Sequence, residues 1–528
     1  MNLENLQQKF TTVAITLIGV LAGVYCGRVA GNGELNTLAY LGALIAVTLV
    51  CLVMKTRIWF LIPLAWDLKS KSYLLPLPFG VRDVTIVLSF GMFLFFTAFK
   101  LLRRKPTHSL LDFLLGINLL YLLTVYIRNP VGVSALNTDL VGGRPYYLTI
   151  IAFCGYWVLS RVVVSPLRAR RIPILILVSA IIVGSMSVVA YLVPATVPVL
   201  SHIYSGVETS SYEEGAENFS ANSTDNSQDS VSGRIGSLLD FGGITICVLC
   251  ALYPAITLVN PLYIWRFGTF VIAWLAILVS GHRAGVIIGL STILISSYFR
   301  RGILELFKLL ALFLPLLVVL ILAQGTLFEL PLVAQRALSF LPGNWNQVAV
   351  RNAQDSSEWR YEIWRTALKG NRYIKNKILG DGFGVSQKAL DDVAAHPENN
   401  EEGQLIAGGF HSGPLSAVRF VGIVGMIFYY VLIIYLAYRA AKLIRECEGT
   451  PYYSLALFFG VPIFFEPFFY TFVFGGYDSD LPQTILSVGM VKLIHESVKD
   501  YKKTTEEDIE VEPASELKKY IRVAPANA

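Results

Sequence analysis

The chain has 528 residues, of which 54% are hydrophobic and 15% are charged, with a formal net charge of +6. Soluble domains carry roughly 25% charged residues, so this composition excludes a soluble globular enzyme, a disordered scaffold and a fibrous protein. The apolar residues form blocks long enough to cross a bilayer. The sequence therefore predicts a polytopic integral membrane protein.

The apolar blocks predict an all-α fold with about 12–14 transmembrane helices by the length criterion. The candidate spans are roughly residues 10–26, 37–53, 57–66, 83–99, 109–127, 146–160, 172–193, 238–260, 267–281, 284–299, 303–323, 412–438, 452–474 and 481–495. The first is interpreted as a retained span, because Tyr25 precedes Cys26 where a lipoprotein cleavage site needs a small residue. The third is too short to cross alone, and is either re-entrant or extended by residues 69–80.

Lysine and arginine clusters predict the orientation of these spans. The clusters lie around residues 100–105, 161–171, 300–308 and 439–445, and an even number of candidate spans separates each from the next. All of them therefore fall on one side, and short positive loops mark the cytoplasm. The N- and C-termini are predicted to be cytoplasmic.

The same pattern divides the chain into six segments. They are N-terminal transmembrane helices (1–193), a flexible periplasmic loop (194–237), further transmembrane helices (238–323), a helical periplasmic domain (324–411), C-terminal transmembrane helices (412–496) and a cytoplasmic tail (497–528). Residues 336–388 carry nine Lys/Arg against four Asp/Glu. Such a basic surface indicates an anionic partner, although a solvated helix face with pairs such as Glu362 and Arg365 is the alternative.

An arginine stands between two spans in the segment SGHRAG, residues 280–285. Arg283 at a membrane boundary needs an anion, a carbonyl group or water as a partner, and snorkelling to lipid headgroups is the simple explanation. The flanking glycines permit close helix approach, which favours a built pocket.

Four further patterns are predicted on the same outer side. They are RIGSLLDFGG, with Arg234 and Asp240; RYEIW, with Arg360 and Trp364 on one helix face; the turn GDGFG, with Gly382 and Gly384; and FHSG, with His411 before a long apolar helix. Arginine forks bind phosphate oxygens at two points and stay charged, while histidine accepts a proton at neutral pH. This set fits a lipid-linked pyrophosphate as leaving group and a hydroxyl as nucleophile.

In order and spacing, the segments SGHRAG, RYEIWRTALK, ILGDGFG and FHSGPLSAVRFVGIVGMIFYYVL resemble the O-antigen ligase and polymerase superfamily. By motif, the resemblance covers roughly residues 230–440. Three positions depart from the family pattern. His282 stands where serine is usual, Ser412 follows His411 where asparagine is frequent, and Arg419 with Phe420 replaces acidic or small residues.

The resemblance implies a metal-independent, inverting glycosyltransferase of the bacterial inner membrane, without a cofactor. Its donor would be a saccharide on undecaprenyl pyrophosphate, and its acceptor would be a glycan or lipid hydroxyl on the periplasmic face. Membrane lipids would surround the protein, and no nucleic acid is expected as a partner. Carried over by motif, Arg234, Arg283 and Arg360 would bind the pyrophosphate. His411 and Arg283 would be catalytic, and Asp240, Trp364, Gly382 and Gly384 would support the site.

Several alternatives remain at the level of sequence. A ligase, a polysaccharide polymerase and a protein O-oligosaccharyltransferase share these motifs, and a transporter or flippase of lipid-linked saccharides would also explain the span count. Asp478 and Asp480 resemble the D-x-D of metal-dependent transferases but are predicted outside, away from a cytoplasmic donor. Glu466 is an ionisable residue within an apolar run and has no assigned role. Cys247 and Cys250 form a C-x-x-C that is interpreted as packing rather than redox or metal binding.

Overall fold

The computed structural model describes residues 53–70, 80–99, 108–132, 140–207, 235–394 and 400–520, together with residues 23, 27, 28, 42, 50 and 51. The first two candidate spans and Arg234 lie outside these residues, apart from isolated positions. The chain divides into two compact units, of which one comprises Met1–Ile58 with Met92–Leu102 and the other comprises Trp59–Gly91 with Arg103–Ala528. The candidate site belongs to the second unit.

The described residues are almost entirely helical, which confirms the predicted all-α fold. After a 3-10 turn at Lys55–Phe60, the helices and strands are α1 Leu61–Leu64, α2 Val81–Ala98, α3 Leu110–Arg128, β1 Leu140–Val141, α4 Arg144–Leu159, α5 Pro166–Ala169, α6 Ile172–Leu192, α7 Val197–Ile203, α8 Gly236–Leu252, α9 Ala255–Leu258, α10 Ile264–Val279, α11 Arg283–Arg301, α12 Ile303–Ala323, α13 Leu332–Leu338, α14 Gln347–Leu368, β2 Val385–Ser386, α15 Gln387–Ala394, α16 Asn400–Ala407, α17 Gly413–Glu446, α18 Tyr453–Phe472 and α19 Tyr477–Tyr520.

Six helical stretches among the described residues are long and apolar enough to cross a membrane. They are Val81–Ala98, Leu110–Arg128, Pro166–Leu192, Ile303–Ala323, Gly413–Glu446 and Tyr453–Phe472, and the shorter apolar helices Gly236–Leu252 and Ile264–Val279 accompany them. Helix α12 shows why a bilayer is needed, because only 11% of its most apolar window is buried inside the protein. Its exposed leucines and valines need a hydrocarbon solvent, while every backbone hydrogen bond stays inside the helix.

The structure refines the predicted boundaries at three places. The span predicted over 238–260 ends as a helix at Leu252. Part of the segment predicted as a flexible loop is a short helix, α7, after which Tyr204 and Val207 pack against α6. The last helix, α19, continues through Tyr520 into the predicted tail.

A buried ion pair ties three helices together. The Lys492 ammonium of α19 lies 2.6 Å from Asp112 Oδ2 of α3, and the Tyr156 hydroxyl of α4 donates to Asp112 Oδ1 at 2.5 Å. Asp112 also accepts the Ser109 N–H and so caps α3. A buried charge is tolerated when it is both paired and hydrogen-bonded, and this carboxylate meets both conditions.

Cys247 and Cys250, which form the C-x-x-C, pack between helices. Cys247 and Cys250 are both buried in α8, and the Cys247 thiol donates to the Phe458 carbonyl of α18 at 3.2 Å. Both side chains therefore fill space between helices.

Helix α17 contains a break at which another segment of the chain binds to it. Gly422 has a φ of 71° and interrupts the helical backbone. The chain around Gly380 crosses the helix at this point, with the Ile423 N–H donating to the Lys377 carbonyl and the Val424 N–H to the Ile378 carbonyl. A side chain at position 422 would overlap the Ile378 carbonyl.

We expect Gly422→Ala to lower the thermal unfolding temperature of the detergent-solubilised protein. With a φ of 71° and a ψ of 178°, the Gly422 backbone lies in a region essentially restricted to glycine, which costs another residue about 1–3 kcal/mol. The overlap with Ile378 adds to that cost. Gly268→Ala is the matched control, since position 268 lies within α10 and has open space around it. Equal unfolding temperatures for the two variants would contradict this account of the break.

Candidate functional site

The loop domain, residues 324–411, is anchored to the membrane helices at its beginning. Ala337 and Leu338 of α13 and Trp345 share a buried apolar cluster with Phe270 of α10 and Val286 of α11. Helix α14 then begins at the N-cap residue Asn346, whose side chain accepts the Val348 N–H at 2.9 Å. This anchoring fixes α14 relative to the start of α11.

Arg283 is the first residue of α11. The preceding turn needs Gly281, which has a φ of 68°, and the buried Ser280 hydroxyl donates to the Ile277 carbonyl at 2.7 Å. Both terminal nitrogens of Arg283 lie 3.4 Å from Ser357 Oγ of α14. A neutral hydroxyl leaves most of the guanidinium donors available for an anion.

Helix α8 begins beside the same turn. The Ile235 N–H donates to the Ser280 carbonyl at 3.4 Å. Arg234 immediately precedes Ile235 in sequence but lies outside the described residues, so its contribution stays a prediction.

Arg360 lies one helical turn after Ser357, on the same face of α14. Its pKa is lowered, first because burial removes water from the guanidinium and second because the positive charge of Arg283 acts on it. Arginine remains protonated at neutral pH even so. Two like charges in partly buried surroundings form a site whose electrostatic energy an anion would improve.

His411 is the last residue of the loop domain, and Ser412 separates it from α17. Its ring centroid lies 5.5 Å from that of Trp359 in α14 and 5.4 Å from that of Phe474, which follows α18. The backbone of His411 is left-handed, with a φ of 49°, and such conformations cost a non-glycine residue about 1–3 kcal/mol and cluster at functional sites.

Trp364 holds the backbone next to His411. Its indole N–H donates to the Phe410 carbonyl at 2.8 Å. Phe410 is buried in the core of the loop domain with Ile363, Leu405 and Leu415. Trp364 therefore orients the approach to His411, and its side chain is occupied by a structural hydrogen bond.

Helix α14 brings the separated motifs together. Ser357, Trp359 and Arg360 fall within one turn of the helix, a rise of about 4.5 Å. Through them α14 contacts Arg283 and His411, which are 128 positions apart in sequence. Of the predicted residues, Arg360 and Trp364 thus belong to α14, and Arg283 and His411 contact it.

The glycine turn serves a different contact. The N–H groups of Asp381 and Gly382 donate to the Arg419 and Phe420 carbonyls of α17, and the Phe383 N–H points to the Tyr146 hydroxyl at 3.4 Å. Three amides of the turn are thereby used inside the protein. Gly382 has a φ of 74°, which explains the need for glycine there, and ligand binding by Gly382 or Gly384 stays a prediction.

Asp240 has a described partner that the sequence did not suggest. Its carboxylate lies 3.4 Å from the Lys69 ammonium, which is also 3.3 Å from Asp67. The sequence motif RIGSLLDFGG contains Asp240 six residues after Arg234 and gives no sign of a contact with Lys69. Lys69 lies in a segment without a recognisable pattern, so nothing in the sequence connected the two.

Asp480 and Glu466, which the sequence motifs leave without an assigned role, lie near the ends and interfaces of the last three helices. Asp480 Oδ2 accepts the Gly476 N–H at 2.9 Å and so caps α19. Glu466 lines a cavity of about 210 Å³ between α17, α18 and α19, together with Asp480 and Phe474. Within the described part of the chain, His, Cys, Asp and Glu form no group of three or more that could hold a metal ion.

Three contact residues were missed by the motif reasoning. Ser357, Trp359 and Phe474 carry no motif of their own, although Trp359 adjoins Arg360 in the sequence. The departure at Arg419 is explained by its ion pair with Asp381 of the glycine turn, with Nη1 3.2 Å from Oδ2. In the sequence, the positive charge of Arg419 and the negative charge of Asp381 in the glycine turn were the only sign of this pairing.

A comparison with protein families identifies the segment that holds these residues. The family model described as O-Antigen ligase matches residues 268–430. The match includes Arg283, Arg360 and His411 and excludes Arg234 and Asp240. No curated protein matches the chain.

We expect Trp364→Phe to lower the free energy of unfolding by about 1 kcal/mol, the usual net value of one hydrogen bond. The larger effect should fall on function, because the Phe410 carbonyl next to His411 loses its donor. Thermal unfolding and a transfer assay measure the two effects. Tyr361→Phe is the control, since that ring is largely exposed, and equal behaviour of both variants would contradict the positioning role of Trp364.

Proposed function

We propose that this member of the O-antigen ligase superfamily is a membrane glycosyltransferase that moves a saccharide from undecaprenyl pyrophosphate to an acceptor hydroxyl on the periplasmic face. The supporting observation is that helix α14 contacts Arg283 through Ser357 and His411 through Trp359. An anion-binding group and a proton acceptor therefore contact the same turn of one helix inside the matched family segment.

The arginines suit the departure of a diphosphate. When the bond between the anomeric carbon and the pyrophosphate oxygen breaks, negative charge grows on the leaving group. Arg283 and Arg360 supply fixed cations where the charge develops, and such preorganised groups stabilise a transition state without reorganising. This electrostatic role needs no metal ion.

His411 suits the nucleophile. The acceptor hydroxyl oxygen forms the new bond to the anomeric carbon, its proton passes to the imidazole, and the pyrophosphate leaves with the electron pair of the broken bond. A single displacement of this kind inverts the anomeric carbon. The rings of Trp359 and Phe474 on either side of His411 would limit the orientations open to a bound sugar.

Within this class, the family match favours ligation of a finished glycan to a lipid or glycan acceptor. A polymerase would use a second lipid-linked glycan as acceptor, and a protein O-oligosaccharyltransferase would use a Ser or Thr hydroxyl. Product length in a reconstituted assay separates the first two, since repeated transfer gives a ladder and ligation gives a single addition.

We expect Arg283→Ala and His411→Ala to reduce transfer in purified protein supplied with lipid donor and acceptor. Loss of a general base costs about 10²–10⁴ in rate, and loss of a leaving-group cation should be of similar size. Arg351→Ala, an exposed position on the same helix, is the matched control and should retain activity.

The same variants test the alternative of a transporter or flippase. Translocation of a lipid-linked saccharide into vesicles is measured in parallel with transfer. Unchanged transfer together with lost translocation would overturn the enzyme assignment. Transfer that persists in both variants would assign the chain a non-catalytic role in the membrane.

A further inference from the structure

A second cavity lies between the loop domain and the helical bundle. It has a volume of about 560 Å³ and is lined by Arg372, Tyr373, Lys375, Asp381, Glu402 and Arg419, among others. This size is within the range of small-molecule sites. None of the side chains assigned to the proposed transfer reaction lines it.

One wall of the cavity is fixed by a buried ion pair. Arg419 is 7% exposed, and its Nη1 lies 3.2 Å from Asp381 Oδ2. The same carboxylate accepts the backbone N–H groups of Lys375 at 2.7 Å and Asn376 at 2.8 Å. The terminal nitrogens of Arg419 also lie 3.4 Å from the Gly382 and Gly384 carbonyl oxygens, so the protein itself holds this wall in place.

The opposite wall comes from the N-terminal half of the chain. Leu140 of β1 pairs with Ser386 of β2 in an antiparallel ladder, and both residues line the cavity with Asn129, the residue that ends α3. The cavity is therefore closed by elements far apart in sequence. An amide, a hydroxyl and backbone groups point towards the same space as the charged side chains.

Among the described side chains that line the cavity, the positive and negative charges do not cancel. Arg419 pairs with Asp381, and Arg372 pairs with Glu402. Lys375 is exposed, and among the described side chains no carboxylate lies within salt-bridge distance of its ammonium. The half-buried ring of Tyr373 also lines the cavity, with the Arg372 guanidinium carbon 5.4 Å from its centroid. An aromatic ring beside hydrogen-bonding groups suits a sugar, and an unbalanced cation favours one that carries a negative charge.

We propose that this cavity binds an acidic saccharide unit of the glycan chain, away from the sugar that reacts. The choice of a glycan as the ligand rests on the proposed function. Arg419 lies six residues into α17, about 9 Å along the helix from the end beside His411. A glycan of a few units would therefore reach from His411 to the cavity.

Binding of lipid-free probes to the full-length protein in detergent tests this proposal by calorimetry. The probes are trigalacturonate and its neutral counterpart maltotriose. We expect the wild type to bind trigalacturonate more tightly, and Lys375→Ala to weaken that binding about tenfold, as expected for one charge-assisted hydrogen bond. Lys375→Glu should abolish it. Lys369→Glu makes the same charge change outside the cavity and should leave binding unchanged.

Equal affinity for the two probes, or unchanged trigalacturonate binding by Lys375→Glu, would overturn the proposal. His411→Ala should keep probe binding, which separates this site from transfer. The wild type could bind trigalacturonate, lose that binding in Lys375→Glu, and yet show no transfer activity. That combination of results would refute the proposed function and leave the saccharide site standing. In the transfer assay, Lys375→Ala raises KM for the donor if the donor glycan fills the cavity, and KM for the acceptor if the acceptor does.

Discussion

The candidate site depends on the packing that sets Arg283 of α11 against the face of α14 that carries Ser357 and Arg360. Arg283 begins a membrane helix and Arg360 belongs to the loop domain, and the charge of one acts on the other in partly buried surroundings. Proteins keep such an arrangement only when the fold imposes it, and here the apolar cluster around Trp345 holds the loop domain against the membrane helices. The packing of the loop domain thus keeps two positive charges in one region, and a diphosphate would neutralise them.

The start of α17 is held with similar firmness. The glycine turn crosses α17 where Gly422 breaks the helix, and the Asp381–Arg419 ion pair closes the contact. Because only Ser412 separates His411 from α17, a shift of this crossing would move the imidazole. The turn thus acts at a distance, as a support of the helix that carries the proton acceptor.

The sequence was sufficient for the all-α membrane architecture, whereas the roles of the predicted site residues stay predictions. Apolar blocks have no alternative to helices in a bilayer, so the fold followed from hydropathy. The motifs pointed to Arg283, Arg360 and His411 because the chemistry of phosphate and proton transfer uses few residue types. Their convergence on α14 could not be predicted, since it depends on how the loop domain packs. The contacts of Ser357 and Trp359 arise from that packing and leave no pattern in the sequence.

Three long helices begin around the candidate site: α8 at Gly236, α11 at Arg283 and α17 at Gly413. The N-terminal end of a helix carries about half a positive elementary charge from its aligned peptide dipoles. The backbone therefore contributes a field of the same sign as the guanidinium groups, and no side-chain substitution removes it. An alanine at position 283 would therefore remove the guanidinium and leave the backbone part of the positive field in place.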